Sequence, residues 1–408
     1  MATRYFILGN GGAALHGIRA LRIAGFTGEV HQISDDRGPA FNPMVAPYFL
    51  SGKVGWETCF PFGEAFYQTY QIERHEAETV VSLDARSRQI TTSIGGTFDY
   101  DKCLIATGAR PVMPPVPGLQ DSRFALSLRE PETALNMVTP LQNAEKVLIL
   151  GASFVGIKLA EVFLKKGIKV VLVDIAPQIM PQGALPEAAK HVETLLRQKG
   201  IDVRLGVAMK KVEDTADGAI CHFPDGSIET VDCIAVSAGI KPNLDFLDPE
   251  QVRINRAICT NDRMQTSDNS IYAAGDVCEA LNRLTNSQQW MGTWGNACYQ
   301  GRVAGQNMAG QYAEYTGAIP QHVSPIFNWT YMQIGDALRQ GPGVQQEFKG
   351  DPFTGDNSFT IRVFENDVLV GANLINAATE LAGIKMEIIS GIEAARHTTS
   401  EESYQRGA

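Results

Sequence analysis

The chain begins with Tyr5-Phe6-Ile7-Leu8-Gly9-Asn10-Gly11-Gly12-Ala13-Ala14, and the reading of these ten residues decides the fold. Four apolar residues form a short buried strand in this reading, and a stretch of helical composition follows over residues 15–24. Between them lies Gly9-x-Gly11-x-x-Ala14, with Gly12 and Ala13 inside the same turn. Strand, tight turn and helix in this order suit a dinucleotide. Gly9 permits the turn, Gly11 lets the backbone approach a pyrophosphate, and Ala14 allows helix and strand to pack closely. The helix start adds N–H groups and the positive end of a dipole. A glycine-rich turn without a ligand has the same letters, so the weight of the motif rests on what recurs downstream.

Working outward, Gly28-Glu29-Val30-His31-Gln32-Ile33-Ser34 reads as a second strand that runs into Asp35-Asp36. An acid at this distance holds a ribose hydroxyl in dinucleotide folds, and Asp35 follows the strand directly. A solvated acidic turn is the alternative. The whole unit then returns. Lys146-Val147-Leu148-Ile149-Leu150 leads into Gly151-Ala152-Ser153-Phe154-Val155-Gly156, then a helix through Lys165, then a strand ending at Asp174. Two copies are far more specific than one. Ser153 stands where a glycine would let the backbone come closest, although its hydroxyl can still bond a phosphate oxygen. Asp174 accepts from a ribose diol and repels a 2′-phosphate, and no arginine follows in residues 175–181, so the expected ligand is NAD(H) and NADP(H) is disfavoured.

Composition sets the outer bounds. The 408 residues suffice for two or three domains, with 44% hydrophobic and 20% charged residues. A net charge of −10 argues against nucleic acid as a partner. No apolar run is long enough for a bilayer and the N-terminus shows no leader pattern, so the expectation is a cytoplasmic protein with no membrane partner. The seven cysteines are scattered without a C-x-x-C pair, so spacing indicates no redox disulfide, no iron–sulfur cluster and no metal. Each reads as a small buried apolar residue.

The remaining segments follow in order. Pro39, Pro43, Pro47 and Gly52 punctuate a loop whose apolar residues should pack against something flat. Residues 90–98 and 100–105 read as strands, the second ending in Ala106-Thr107-Gly108-Ala109-Arg110-Pro111, and residues 111–118 as a stiff proline-rich linker. A helix over residues 188–199 and strands around Val203 and Cys221 precede Gly239-x-x-Pro242-Asn243. Tyr272-Ala273-Ala274-Gly275-Asp276 resembles a third ligand position, with a helix cap as the alternative, and a helix of small residues starts near Asn296-Ala297. Strands are expected at residues 328–334, 358–364 and 368–374, with Asn366-Asp367 as a hairpin turn, then a helix at 381–389. Residues 394–408 read as a mobile polar tail, or as an arm that orders on a partner.

In this order the pieces resemble the FAD-dependent pyridine nucleotide–disulfide oxidoreductases, in their NADH:rubredoxin or ferredoxin reductase branch, and more narrowly the flavin subunits of anaerobic 2-oxoacid (phenylglyoxylate) dehydrogenase complexes. The resemblance implies an α/β fold of two Rossmann-like domains and a C-terminal α+β interface domain. An FAD domain would comprise residues 1–113 and 242–318, an NAD(H) domain 114–241, and the interface domain 319–408. It implies that FAD is bound by Gly9, Gly11, Gly12, Ala13, Ala14, Asp35, Asn42, Pro43, Ala106, Thr107, Gly108, Arg110, Gly275, Asp276, Asn296 and Ala297. NAD(H) would be bound by Gly151, Ser153, Phe154, Val155, Gly156, Asp174 and Gly239. The helix near Asn296 would point its positive end at the flavin.

The departures from the family pattern matter as much. Residues 42–52, where relatives carry a redox cysteine, contain none, and Cys59 lies beyond. Pro47 and Lys158 occupy places where relatives hold a lysine and a glutamate. Lys158 is then either a cation beside the nicotinamide or a solvated helix lysine. The implied activity is transfer of electrons between NAD(H) and an iron–sulfur protein or subunit, a ferredoxin or a rubredoxin, within an oligomer or hetero-complex. A stand-alone NADH oxidase or rubredoxin reductase is the alternative enzyme, and a non-catalytic nucleotide-binding subunit the alternative of another class.

Overall fold

The computed structural model describes residues 3–351 and 357–406. The chain forms two compact units, the first made of Met1–Arg110, Arg129–Pro131 and Ile240–Ala318, the second of Pro111–Leu128, Glu132–Gly239 and Ile319–Ala408.

In the first unit, the strands Ile271–Ala273, Lys102–Ile105, Arg4–Leu8, Glu29–Ser34 and Ile72–Glu76 lie side by side in that order, all parallel. Phe6, Ile7 and Leu8 at its centre are fully buried, as the continuous apolar run requires of a strand covered on both faces. Helix Gly12–Ile23 leaves the first strand and packs along helix Trp294–Met308. The contact is backbone to backbone. At Gly301 a Cβ would collide with the Ala13 carbonyl, and at Gly305 with that of Gly17.

The second unit repeats the design with strands Asp202–Leu205, Lys169–Asp174, Lys146–Leu150, Cys233–Val236 and Ala125–Ser127 in a parallel sheet. An antiparallel sheet of Lys211–Asp214, Ala219–His222 and Ile228–Val231 adjoins it in sequence. The same unit holds a five-stranded antiparallel sheet in the order Gln321–Ile326, Trp329–Gly335, Val368–Ile375, Phe359–Glu365, Val344–Lys349. Its hairpin turn at Asn366 and Asp367 has positive φ at both residues, 50° and 66°. That is the conformation a tight hairpin favours.

Several elements differ from expectation. Residues 90–98 are not one strand but a hairpin of Gln89–Thr92 and Thr97–Asp99, because Gly95 turns the chain at φ 84°. Helix Pro131–Asn143 has no counterpart in the sequence reading, since Pro140 lies inside it and masks the helical pattern. The expected mobile tail is helical. Helix Ala378–Arg406 continues through it, and residues 407–408 lie outside the described residues. The apolar period ends there, but alanines and glutamates of high helix propensity do not. Trp56 of the proline-punctuated loop packs against Phe41, Phe49 and Phe60, with ring centroids 5.7, 4.8 and 5.1 Å away. All seven cysteines are free, and no helix among the described residues is long and apolar enough to cross a membrane.

The glycine contact yields a direct expectation. Gly301→Ala forces the two helices apart and should lower unfolding stability by about 2–3 kcal/mol. Gly383→Ala, where the added methyl meets nothing within 4 Å, should leave it unchanged or slightly raised. Urea unfolding of both variants checks the contrast.

Candidate functional site

The two glycine turns are built alike. Gly9 has φ +109° and Gly151 φ +113°, a region that side chains disfavour. The Gly9 N–H donates to the Ile33 carbonyl at 2.8 Å, and the Gly151 N–H to that of Val173 at 2.8 Å. A neighbouring strand then ends against each turn. Ala106 donates to the Leu8 carbonyl and Ser237 to the Leu150 carbonyl, both at 2.8 Å. A Cβ on Gly9 would clash with the Ala106 carbonyl, and one on Gly151 with that of Ser237. Ala106-Thr107-Gly108 and Ser237-Ala238-Gly239 therefore occupy matching places.

The turns differ in how the helix start is finished. Gly11 caps the first helix without a side chain, and a Cβ there would meet nothing within 4 Å, so the space beside this turn is open. Ser153 caps the second helix, its Oγ accepting from the Gly156 N–H at 3.3 Å. The hydroxyl keeps its proton to donate. Asp174 is held by the turn itself, accepting from the Ala152 N–H at 2.6 Å and the Ala176 N–H at 2.8 Å. Two anchored oxygens with spare lone pairs present a fixed acceptor pair. In the first unit the position matching Asp174 is Ser34, and Asp35 one residue on is exposed. Asp36 is the half-buried acid. Burial pushes its carboxyl up to about 6, with Asp35 and Glu130 adding repulsion.

A buried network braces the first turn. Asn10, 6% exposed, accepts from the Tyr67 hydroxyl at 2.6 Å and from Gln32 Nε2 at 3.1 Å, and donates to the Gly38 carbonyl at 3.1 Å. Tyr67 in turn accepts from the Ala40 N–H at 3.0 Å, which fixes the approach to Phe41, Asn42 and Pro43. Asn42 donates its N–H to the Cys59 carbonyl at 2.7 Å and accepts from the Met44 N–H at 3.0 Å.

The distant Gly275-Asp276 comes to the same place. A Cβ on Gly275 would lie 3.1 Å from that of Ala13 and 3.4 Å from that of Ala297, so the turn, the third motif and the Trp294–Met308 helix converge. That helix starts two residues before Asn296, whose side chain accepts from the Tyr315 hydroxyl at 2.7 Å. Asp276 is paired with Arg129 at 2.6 Å, and Arg129 also donates to the Ala109 carbonyl at 2.7 Å. Arg129 is absent from the sequence reading, because no local pattern marks it. Thr107 and Asn243 bond each other's backbones, while Arg110 binds Asn243 at 2.9 Å and Asp245 at 2.5 Å.

Lys158 is not a solvated helix lysine. It is 9% exposed, and donates to Glu161 at 2.9 Å and to the Pro325 carbonyl at 3.2 Å, so its charge is matched within its own unit. Burial would raise the Glu161 carboxyl, but hydrogen bonds from Lys165 and Lys158 hold it below the usual range. Phe154, in the first turn of the same helix, stacks on His322 with centroids 3.7 Å apart. Burial pushes the His322 imidazole down to about 4.

Open space at Gly11, an unblocked helix start and an anchored acid at Asp174 are what two dinucleotides require. The pyridine nucleotide-disulphide oxidoreductase family matches residues 3–301. The chain is 29% identical to the NADH-dependent phenylglyoxylate dehydrogenase subunit epsilon of Aromatoleum evansii, over 82% of this chain and 80% of that one. It is 26% identical to the rubredoxin-NAD(+) reductase of Pseudomonas putida, over 74% and 79%. The water-forming NADH oxidase of Lactobacillus brevis, solved with NADH, shares the fold with a TM-score of 0.87 at 20% identity, covering 98% of this chain and all of that one. The chain belongs to the pyridine nucleotide-disulphide oxidoreductase family and is an FAD-dependent oxidoreductase of NAD(H).

Asp36 gives a pH signature. Its folded carboxyl titrates near 6, above the ordinary 3.8, so the folded state keeps a proton that the unfolded chain loses, and stability falls as pH rises through that window. Asp36→Asn should stabilise the protein by about 3 kcal/mol above pH ~7 and have no effect below pH ~4. Thermal unfolding across pH measures it.

Proposed function

We propose that this protein draws electrons from NADH through FAD and delivers them singly to an iron–sulfur or rubredoxin-type protein, either as a free reductase or as the flavin subunit of a larger dehydrogenase. The observation that carries the reading is the pair of like-built turns with unlike finishes, combined with the absence of any cysteine in residues 42–52. FAD, when bound, takes two electrons at once from a nicotinamide and can release them one at a time.

The first turn, Gly9, Gly11, Gly12, Ala13 and Ala14, holds the FAD pyrophosphate on the open helix start. Asp35 lies toward the ribose, Ala106, Thr107 and Gly108 border the turn, and Gly275, Asp276, Asn296 and Ala297 close the far side. Arg129 joins this set by fixing the Asp276 carboxylate. Asn42 and Pro43 line the loop beyond Ala40, and Arg110 acts through Asn243. FAD then occupies a domain of residues 1–113 and 242–318.

NAD(H) binds in 114–241, its pyrophosphate at Gly151, Ser153, Phe154, Val155 and Gly156 beside Gly239. Asp174 accepts from the ribose diol. Residues 319–408 serve as an interface domain. Lys158 has no part in the chemistry, because its charge is already matched by Glu161.

With no cysteine in residues 42–52 and no disulfide among the described residues, electrons leave the chain in this reading, and the names of the relatives in Aromatoleum evansii and Pseudomonas putida support a protein acceptor. Seven unpaired cysteines suit a reducing compartment, so we place the protein in the cytoplasm.

Turnover of the anaerobically purified protein with NADH should be faster with rubredoxin or ferredoxin than with oxygen. Faster oxygen consumption would make it an oxidase. Asp174→Ala should raise KM for NADH about tenfold with kcat retained, the loss expected for hydrogen bonds to a charged acceptor. Arg129→Ala should weaken FAD retention about tenfold, read by flavin release on dilution.

A further inference from the structure

We infer that His31, Glu73 and His75 form a binding site for a zinc-class divalent cation on the first sheet. Glu29–Ser34 and Ile72–Glu76 run parallel, with His31 opposite Glu73 and Ile33 opposite His75. Side chains alternate between faces with a period of two, so Glu29, His31, Glu73 and His75 share one face. Phe6 on the next strand lies on that face too, and the His31 ring stacks on it at 4.6 Å.

The donor atoms converge at the right spacing. His31 Nδ1 is 3.3 Å from His75 Nε2 and 3.4 Å from Glu73 Oε2, and all three donors lie within 4.8 Å of one another. Ligands about 2.0–2.1 Å from a tetrahedral ion stand about 3.4 Å apart. The three could close on such an ion with little movement. Glu73 is 66% exposed, which leaves a side open for water as a fourth ligand.

The outer atoms supply an independent observation. His31 is 8% exposed, and its second nitrogen, Nε2, is buried without a hydrogen-bond partner, 3.5 Å from Glu29 Oε2. His75 Nδ1 is 3.9 Å from Glu78 Oε1, and the other Glu78 oxygen is likewise buried and unpartnered. An unmet buried polar atom is costly. Metal on His31 Nδ1 and His75 Nε2 places a proton on each outer nitrogen, facing a carboxylate. That is the carboxylate–histidine–metal arrangement. Two imidazoles and one carboxylate select zinc or its neighbours over magnesium or calcium. The ion would fasten the edge strand to its neighbour, a structural role separate from electron transfer.

The test is equilibrium Zn²⁺ binding by the flavin-loaded protein, after chelation and desalting, with zinc counted by elemental analysis and affinity measured against a chromophoric chelator. The expected result is one Zn²⁺ per chain at micromolar or tighter affinity, with no competition from excess Mg²⁺. His75→Gln and Glu73→Gln should weaken it about 100-fold, and Glu29→Gln, which touches no ion, about tenfold. Glu29 and Glu73 are exposed, so their variants keep the fold, and flavin content confirms it. Binding that is substoichiometric or only millimolar would overturn the site and leave an imidazole pair sharing a proton. Affinity unchanged in both His75→Gln and Glu73→Gln would place zinc elsewhere and overturn it equally.

Discussion

At Gly9 the backbone turns through a positive φ while the carbonyl of Ala106 presses into the space a side chain would need. Everything in the first unit follows from that approach. The strand Arg4–Leu8 can hand over to its helix only if the turn is sharp, and the adjoining strand can reach its end only if no Cβ intervenes. The helix then sits close enough to Trp294–Met308 for Ala13 to meet Gly301 backbone to backbone. Gly151 and Ser237 repeat the constraint in the second unit with nearly the same geometry.

In the proposed function two closely similar scaffolds take different tasks through their borders. The first turn is braced by Asn10, Gln32 and Tyr67 and closed on one side by Gly275 and Ala297, with the Arg129–Asp276 ion pair following directly after Gly275. In the proposed function such a network suits a resident group, because its members are fixed before the ligand arrives. The second turn has a serine cap, an anchored acid at Asp174, and the Ser237 hydroxyl donating to the Gly151 carbonyl at 2.7 Å. The cap oxygen of Ser153 already serves the Gly156 amide, so a ligand there gains one donated hydrogen bond where Gly11 offers open backbone.

What was legible in the sequence was local. Both glycine turns, the helices behind them and the strand-end acid at Asp174 depend on residues within about thirty positions, and their spacing carries the physics. The rest depends on contacts the chain order hides. Arg129 meets Asp276 across 147 positions, and Tyr67 meets Asn10 across 57. The His31, Glu73 and His75 group is split between two strands, so no ligand spacing exists to be read. The burial of Lys158 was hidden for a related reason. Its partners are the Pro325 carbonyl, far along the chain, and the Glu161 carboxylate, one helical turn on. The hairpin at 89–99 and the helix through the C-terminal segment show the reverse error, where a turn glycine and helix propensity outweighed composition.

In the proposed function FAD is the two-electron store, fed by NADH at the second turn. Anaerobic titration of the flavin-loaded protein with NADH tests it most directly, because each redox group takes its own equivalent. Complete bleaching of the flavin at one NADH per chain is the predicted result. A requirement for two NADH per chain would reveal a thiol pair sharing the electrons, and a flavin that stays oxidised would remove the enzyme altogether.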